Sequence, residues 1–207
     1  GGADNDYLDG GDGIDTASFT TSAAAIAVNL SDATVISSGE GSDTLVGIEN
    51  ILGSDYNDTI AGDGGENSIN GGKGKDSLEG ADGDDTLNGH AGADSLYGGL
   101  GDDSLIGSAN HDVLDGGAGS DTLDGGNGTD TASYSASTVA VTVDVGAGKA
   151  SDEGSDTLIG IENVIGSDYN DTITGDGGAN SLEGGLGVDV LDGGAGADSL
   201  NGGNSNL

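Results

Sequence analysis

From Gly53 to Ser133 one polar–apolar rhythm runs unbroken: nine blocks of nine residues built on the rule G-G-x-G-x-D-x-U-x, with U a large aliphatic side chain, from which single positions depart. Gly71–Glu79 and Gly116–Asp124 are two such blocks. Positions seven to nine are long enough for a short strand, and the aliphatic at position eight points to one face of it. Leu78, Leu87, Leu96, Leu105, Leu114 and Leu123 therefore stack inside, one per strand. Glycines at positions one, two and four open conformations closed to residues with a Cβ, so each block begins with a tight turn. Two strands and two turns close one coil of eighteen residues. Parallel β hydrogen bonding sets consecutive coils about 4.8 Å apart. No segment carries helical periodicity of useful length, and the predicted fold is an all-β solenoid.

The rhythm is interrupted twice. Residues 1–18 hold two repeats, with Asp6 and Asp15 at position six. Asp4 replaces the fourth-position glycine, a tolerable change because Asp visits positive φ. Residues 19–52 lose the period. Ile26, Val28 and Leu30 alternate with small or polar residues, as in a half-buried strand. Ser37–Ser42 reads as a turn, Asp43–Val46 as the tail of a repeat, and Gly47–Leu52 as a strand with a shortened turn. Residues 134–165 repeat that programme, with Val139, Val141, Val143 and Val145 alternating, before nonapeptides return over 166–207. About three-quarters of residues 41–70 recur identically at 154–183, so a long repeat of roughly 113 residues is built from short ones. The chain opens inside a repeat at Gly1 and stops inside another at Asn206-Leu207, and it reads as one continuous solenoid fragment of something longer. Whether 19–46 and 134–153 continue the coil is open at this level.

Charge changes the picture. The 207 residues carry a formal charge of −35, only three basic side chains, and no Pro, Cys, Met or Trp. Such a balance ordinarily predicts disorder. A disordered tail, however, has no reason to place Gly, Asp and Leu at fixed offsets, which leaves a fold whose charge is cancelled by bound cations. Nucleic acid is excluded as a partner, because displacing counterions from phosphates needs Lys and Arg. Membrane insertion is excluded by the absence of an apolar run near 18 residues, and a disulfide framework by the absence of Cys.

Stacked coils superpose turns eighteen residues apart, bringing Asp76 near Asp94 and Asp85 near Asp103. Acidic columns at that spacing repel unless a cation lies between rungs. The ligands on offer are carboxylate and backbone carbonyl oxygens, a hard set that Ca²⁺ accepts, whereas Mg²⁺ keeps its waters and Zn²⁺ prefers N or S.

The repeat resembles that of the RTX (repeats-in-toxin) hemolysin-type family, which binds calcium in a right-handed parallel β-roll. The resemblance implies that each ion lies between two turns eighteen residues apart. The earlier turn would give carbonyls two and four with its Asp, the later one carbonyls one and three with its Asp. One ion would be held by Gly72, Gly74 and Asp76 with Gly89, Ala91 and Asp94. Another would take Ala81, Gly83 and Asp85 with Gly98, Leu100 and Asp103. The same rule pairs His90, Gly92 and Asp94 with Gly107, Ala109 and Asp112, and Gly99, Gly101 and Asp103 with Gly116, Ala118 and Asp121. It pairs Ser108, Asn110 and Asp112 with Gly125, Asn127 and Asp130, and Asp58 with Gly71, Lys73 and Asp76. In the C-terminal run it pairs Asp171 with Gly184, Leu186 and Asp189, while Asp198, Asp6 and Asp15 supply carboxylates at the array ends. Asn67 and Asn180 replace the sixth-position Asp and offer a neutral oxygen, and Ser54 and Tyr56 replace turn glycines, as at an array edge.

Other acids read as surface: Asp9, Asp115, Asp124 and Asp192 at position nine, and Asp82, Asp84 and Asp102 as spare charge in turns. His90 and His111 lack a Cys or second-shell pattern, so no transition-metal site is expected. There is no H-E-x-x-H, G-x-S-x-G or phosphate-cradling loop, so no catalysis is expected within these residues. Position seven is rich in Ser and Thr, which suits a solvated β face and leaves an ice- or glycan-binding ladder as a lesser alternative. The family resemblance implies a secreted or cell-surface bacterial protein whose module folds on Ca²⁺ after type I secretion. The alternatives are a surface-layer or adhesin array, in which the chain self-associates, and an accessory module joined to further domains of a secreted enzyme.

Overall fold

The computed structural model describes residues 2, 4–32, 34–37 and 41–204, with the backbone alone over 34–37. Among these residues every regular element is a strand, from Tyr7–Asp9 to Ser199–Asn201. The strands form two sheets, one of twelve and one of eleven, and through the nonapeptide run the chain alternates between them. Register follows the coil length. Leu78 pairs with Leu96 and Leu96 with Leu114 in one sheet, and Leu87 with Leu105 and Leu105 with Leu123 in the other, all parallel. These six leucines are 0 % exposed, each contributing about 1.5–3 kcal/mol by burial. Ile51, Ile60, Ile69, Val164, Ile173 and Leu182 extend the same interior along the stack. Where Ala132 interrupts the leucine ladder, the ring of Tyr134 is buried two residues later, and Ala17 with Phe19 repeats that exchange of volume.

The interruptions join the stack instead of leaving it. Ile26–Asn29, Thr34–Ser37 and Gly41–Val46 form an antiparallel meander inserted between Tyr7–Asp9 and Thr59–Ala61 of the twelve-stranded sheet. Thr142–Asp144, Lys149–Ser151 and Asp156–Ile159 do the same between Thr122–Asn127 and Thr172–Thr174 of the other. Opposite each insert the coil strands pair directly, Thr16–Ser18 with Asn50–Leu52 in one case and Thr131–Ser133 with Asn163–Ile165 in the other. Each insert therefore adds two strands to one sheet and none to its partner, about 10 Å of extra height on one side at normal strand spacing.

Sequence alternation foresaw one strand per insert. Thr34–Ser37 and Lys149–Ser151 were missed because each is shorter than the windows that reveal a period of two. Ser37 pairs with Gly41, so the expected turn at Ser37–Ser42 is narrower, and its tip at 38–40 lies outside the described residues. Val139 precedes its strand and is 39 % exposed, so the inward row starts at Val141. No helix among the described residues is long and apolar enough to cross a membrane.

Candidate metal centre

From Asp76 to Asp130 each sixth-position aspartate stands where a turn enters a strand, and its two oxygens have different fates. Oδ1 accepts the backbone N–H of the equivalent residue one coil earlier. Asp76, Asp94, Asp112 and Asp130 take those of Asp58, Asp76, Asp94 and Asp112 at 2.8 Å. In the second column Asp85, Asp103 and Asp121 take those of Asn67, Asp85 and Asp103 at 2.7–2.8 Å. Oδ2 of Asp6, Asp15, Asp76, Asp85, Asp94, Asp103, Asp112, Asp121, Asp130 and Asp189 is buried with no hydrogen-bond partner. An ionised oxygen in that position demands a cation or a proton.

Burial accordingly raises these carboxyls. Desolvation, aided by neighbouring aspartates, pushes Asp76 and Asp103 to about 7 and Asp112 and Asp121 to about 6, against a partial offset from the backbone N–H that each accepts. Asp85, Asp94 and Asp130 are raised by the same desolvation.

Backbone oxygens border the same gaps. A Cβ built on Gly92 would fall 1.4 Å from the Gly74 carbonyl oxygen, and one on Gly99 1.9 Å from that of Ala81, so carbonyls four and two of an earlier turn project onto the later one. A Cβ on Gly80 would meet the Gly98 oxygen at 2.7 Å, so carbonyl one of a later turn faces back. Carbonyl three of the later turn also faces back: Ala91 accepts the N–H of Gly74 at 2.9 Å and Leu100 that of Gly83 at 2.7 Å. A carbonyl has two lone pairs, so that bond leaves one free. Among the described residues no three His, Cys, Asp or Glu side chains surround one point. A gap lined by two carboxylates and several carbonyls needs no third acid to satisfy a hard cation.

Some turns are closed by the protein itself. Asp58 receives the N–H and hydroxyl of Ser54 at 2.6 and 2.8 Å and the N–H of Ile26 at 2.9 Å. Asp171 receives the same set from Ser167 and Val141. Both serines are 1 % exposed. At the shortened turns Glu49 and Glu162 accept the N–H of Asp15 and Asp130 at 2.8 Å, and Asn67 and Asn180 return an amide N–H to the carbonyls of Glu49 and Glu162. Asp43 and Asp156 take the N–H of Asp6 and Asp121, and the Tyr134 hydroxyl donates to the second oxygen of Asp156. Glu49, Glu162, Asp43 and Asp156 were absent from the sequence-derived ligand sets. Counting back two positions from the buried aliphatic, instead of forward from glycine, finds all four.

The spare turn charges have a use. Asp84 accepts the N–H of Asp102, and Asp102 that of Ser120. His111 does the same for Thr129 through Nδ1. Asp115 departs from the expected surface role: it is 9 % exposed, and desolvation raises it to about 6.

The family model of the RTX calcium-binding nonapeptide repeat matches residues 1–17, 46–78, 70–105, 79–114, 97–132, 159–191 and 183–206. No curated protein matches the chain.

Proposed function

The chain belongs to the family of RTX calcium-binding nonapeptide repeats, and from that premise we propose that it is a module that folds on Ca²⁺. The observation that carries this reading is the set of ten buried Oδ2 atoms that have no partner among the described residues, all on sixth-position aspartates. Calcium would be held between stacked turns by the aspartates of 71–130 and the carbonyls named above, and at Asp189 in the C-terminal run. Its double charge would relieve both the unpaired oxygens and the repulsion along each column. Metal-binding energy then becomes folding energy. Asp58 and Asp171, saturated by serine and backbone donors, would form rungs that hold without an ion. The shortened turns, where an asparagine amide occupies the gap, would hold in the same way.

The biological reading follows from the family. An unfolded acidic chain suits export through a type I channel from a bacterial cytoplasm poor in calcium. Extracellular calcium, in the range to which such modules are tuned, about 10⁻⁴–10⁻³ M, would condense it outside the cell or at its surface. Catalysis has no part in this role.

Far-ultraviolet circular dichroism during a Ca²⁺ titration, with Mg²⁺ as control, tests the proposal. The expected result is a cooperative gain of β signal with Ca²⁺ alone. A full β spectrum already present in chelator would sink it.

A further inference from the structure

Asparagine precedes glycine at Asn70, Asn88, Asn127 and Asn201. In each pair the asparagine amide carbon stands next to a glycine N–H that no Cβ shields. The fold treats the four differently. Asn70 and Asn88 lie inside the strands Ser68–Lys73 and Thr86–Ala91, and their side chains are held. Nδ2 of Asn70 is 2.7 Å from Nε2 of His90. Oδ1 of Asn88 accepts the N–H of His90 at 3.0 Å and the hydroxyl of Ser108 at 3.1 Å. Oδ1 of Asn201 accepts the N–H of Gly203 at 3.0 Å. The side chain of Asn127 is exposed and has no hydrogen-bond partner among the described residues.

The glycine that follows Asn127 is also unengaged. At the fourth position of the earlier turns, Gly74, Gly83, Gly92 and Gly101 each donate their N–H to carbonyl three of the next coil, and Asn110 donates to the Asn127 carbonyl at 2.9 Å. Gly128 holds that same position, yet its N–H has no acceptor among the described residues. The second insert is the cause. Asp124 pairs with Ile159 and Thr131 with Asn163, so residues 125–130 are faced only by the shortened turn at 160–162. That turn directs the N–H groups of Glu162 and Asn163 to the Asp130 carbonyl and brings no carbonyl to Gly128. An exposed amide outside the hydrogen-bond ladder opens at little cost.

We propose that Asn127 is a site of spontaneous deamidation in the folded protein. The Gly128 nitrogen attacks the side-chain amide carbon of Asn127. As that bond forms the bond to Nδ2 breaks, and ammonia leaves with the proton from the Gly128 N–H. Water then opens the cyclic imide to an aspartyl or β-linked isoaspartyl residue. Either product adds a carboxylate to the turn that ends at Asp130. The side-chain amide is not among the oxygens assigned to calcium, so the site goes beyond that reading.

Peptide mapping by mass spectrometry during incubation at pH 8 tests this. Circular dichroism confirms that the chain keeps its full β signal, in Ca²⁺ or in chelator, whichever gives it, so the outcome does not depend on the calcium reading. Asn127 is expected to convert about fivefold faster than Asn70, Asn88 or Asn201. In urea, where the coils are lost, the four should react at closely similar rates, because they share the same dipeptide. Equal rates in the folded chain, a faster reaction at any of the other three, or a lead for Asn127 that persists undiminished in urea would overturn the proposal.

Discussion

At the scale of single residues, glycine has two meanings in this chain that the repeat formula does not separate. Gly92 sits where the preceding coil presses on it: an added Cβ would lie 1.4 Å from the Gly74 carbonyl oxygen, a backbone atom that cannot swing aside. Gly64 has open space around its Cβ direction and no left-handed φ. Gly92→Ala is therefore expected to destabilise the calcium-loaded fold by about 1–3 kcal/mol or more, as overpacking does. Gly64→Ala should be neutral or stabilise by up to about 1 kcal/mol through the unfolded chain. Thermal unfolding of the two variants side by side reads the difference, and equal losses would refute the coil-on-coil contact. The sequence formula marked glycine at position four; only the stacked neighbour explains why this one resists substitution.

At the scale of elements, the inserts decide how the solenoid holds together. Val143 is 1 % exposed and its strand links two neighbours, with Ala150 opposite on one side and Ile173 on the other. In a stacked array each coil depends mainly on its neighbours. Val143→Asp would bury a charge at that junction, at a cost of several kcal/mol. Hydrogen exchange should then show lost protection over 166–204 with protection kept over 71–130. Uniform loss across both segments would show a single cooperative unit instead. The alternation Val141–Val143–Val145 announced this strand, but its antiparallel partner Lys149–Ser151 is too short and too polar to announce itself.

At the scale of the whole molecule, charge governs whether the coils form. Desolvation raises Asp76 and Asp103 to about 7 and Asp112 and Asp121 to about 6, well above the ordinary carboxylate range. A carboxyl whose folded pKa lies above its unfolded one favours folding while it is protonated. That contribution is full below pH about 4, where unfolded aspartate is also protonated, and is lost as pH rises through 6 to 7. The net charge of −35 adds repulsion over the same range. In chelator the chain should thus be more β-structured at pH 4 than at pH 8, and Ca²⁺ should replace the proton at pH 8. Circular dichroism across pH in chelator measures it, and more structure at high pH would contradict the burial of these oxygens.

What the sequence determined by itself is the coil: a nine-residue period fixes turn, strand and inward aliphatic, because each of those is a local preference repeated block after block. It also located the sixth-position aspartates of the unbroken nonapeptides, whose offset from the first glycine is constant, but not Glu49, Glu162, Asp43 and Asp156, where the turn is shortened. The tertiary structure alone decided which of them keep an open oxygen. Asp58 and Asp76 occupy the same place in the repeat, yet Asp58 is satisfied by Ser54 and by Ile26, which is brought alongside by the insert strand, and Asp76 is not. Likewise Asp115 and Asp124 are equivalent in the formula, and only the folding of a distant loop over one of them buries it. Contacts between segments far apart in the chain carry no period, so no repeat pattern can record them.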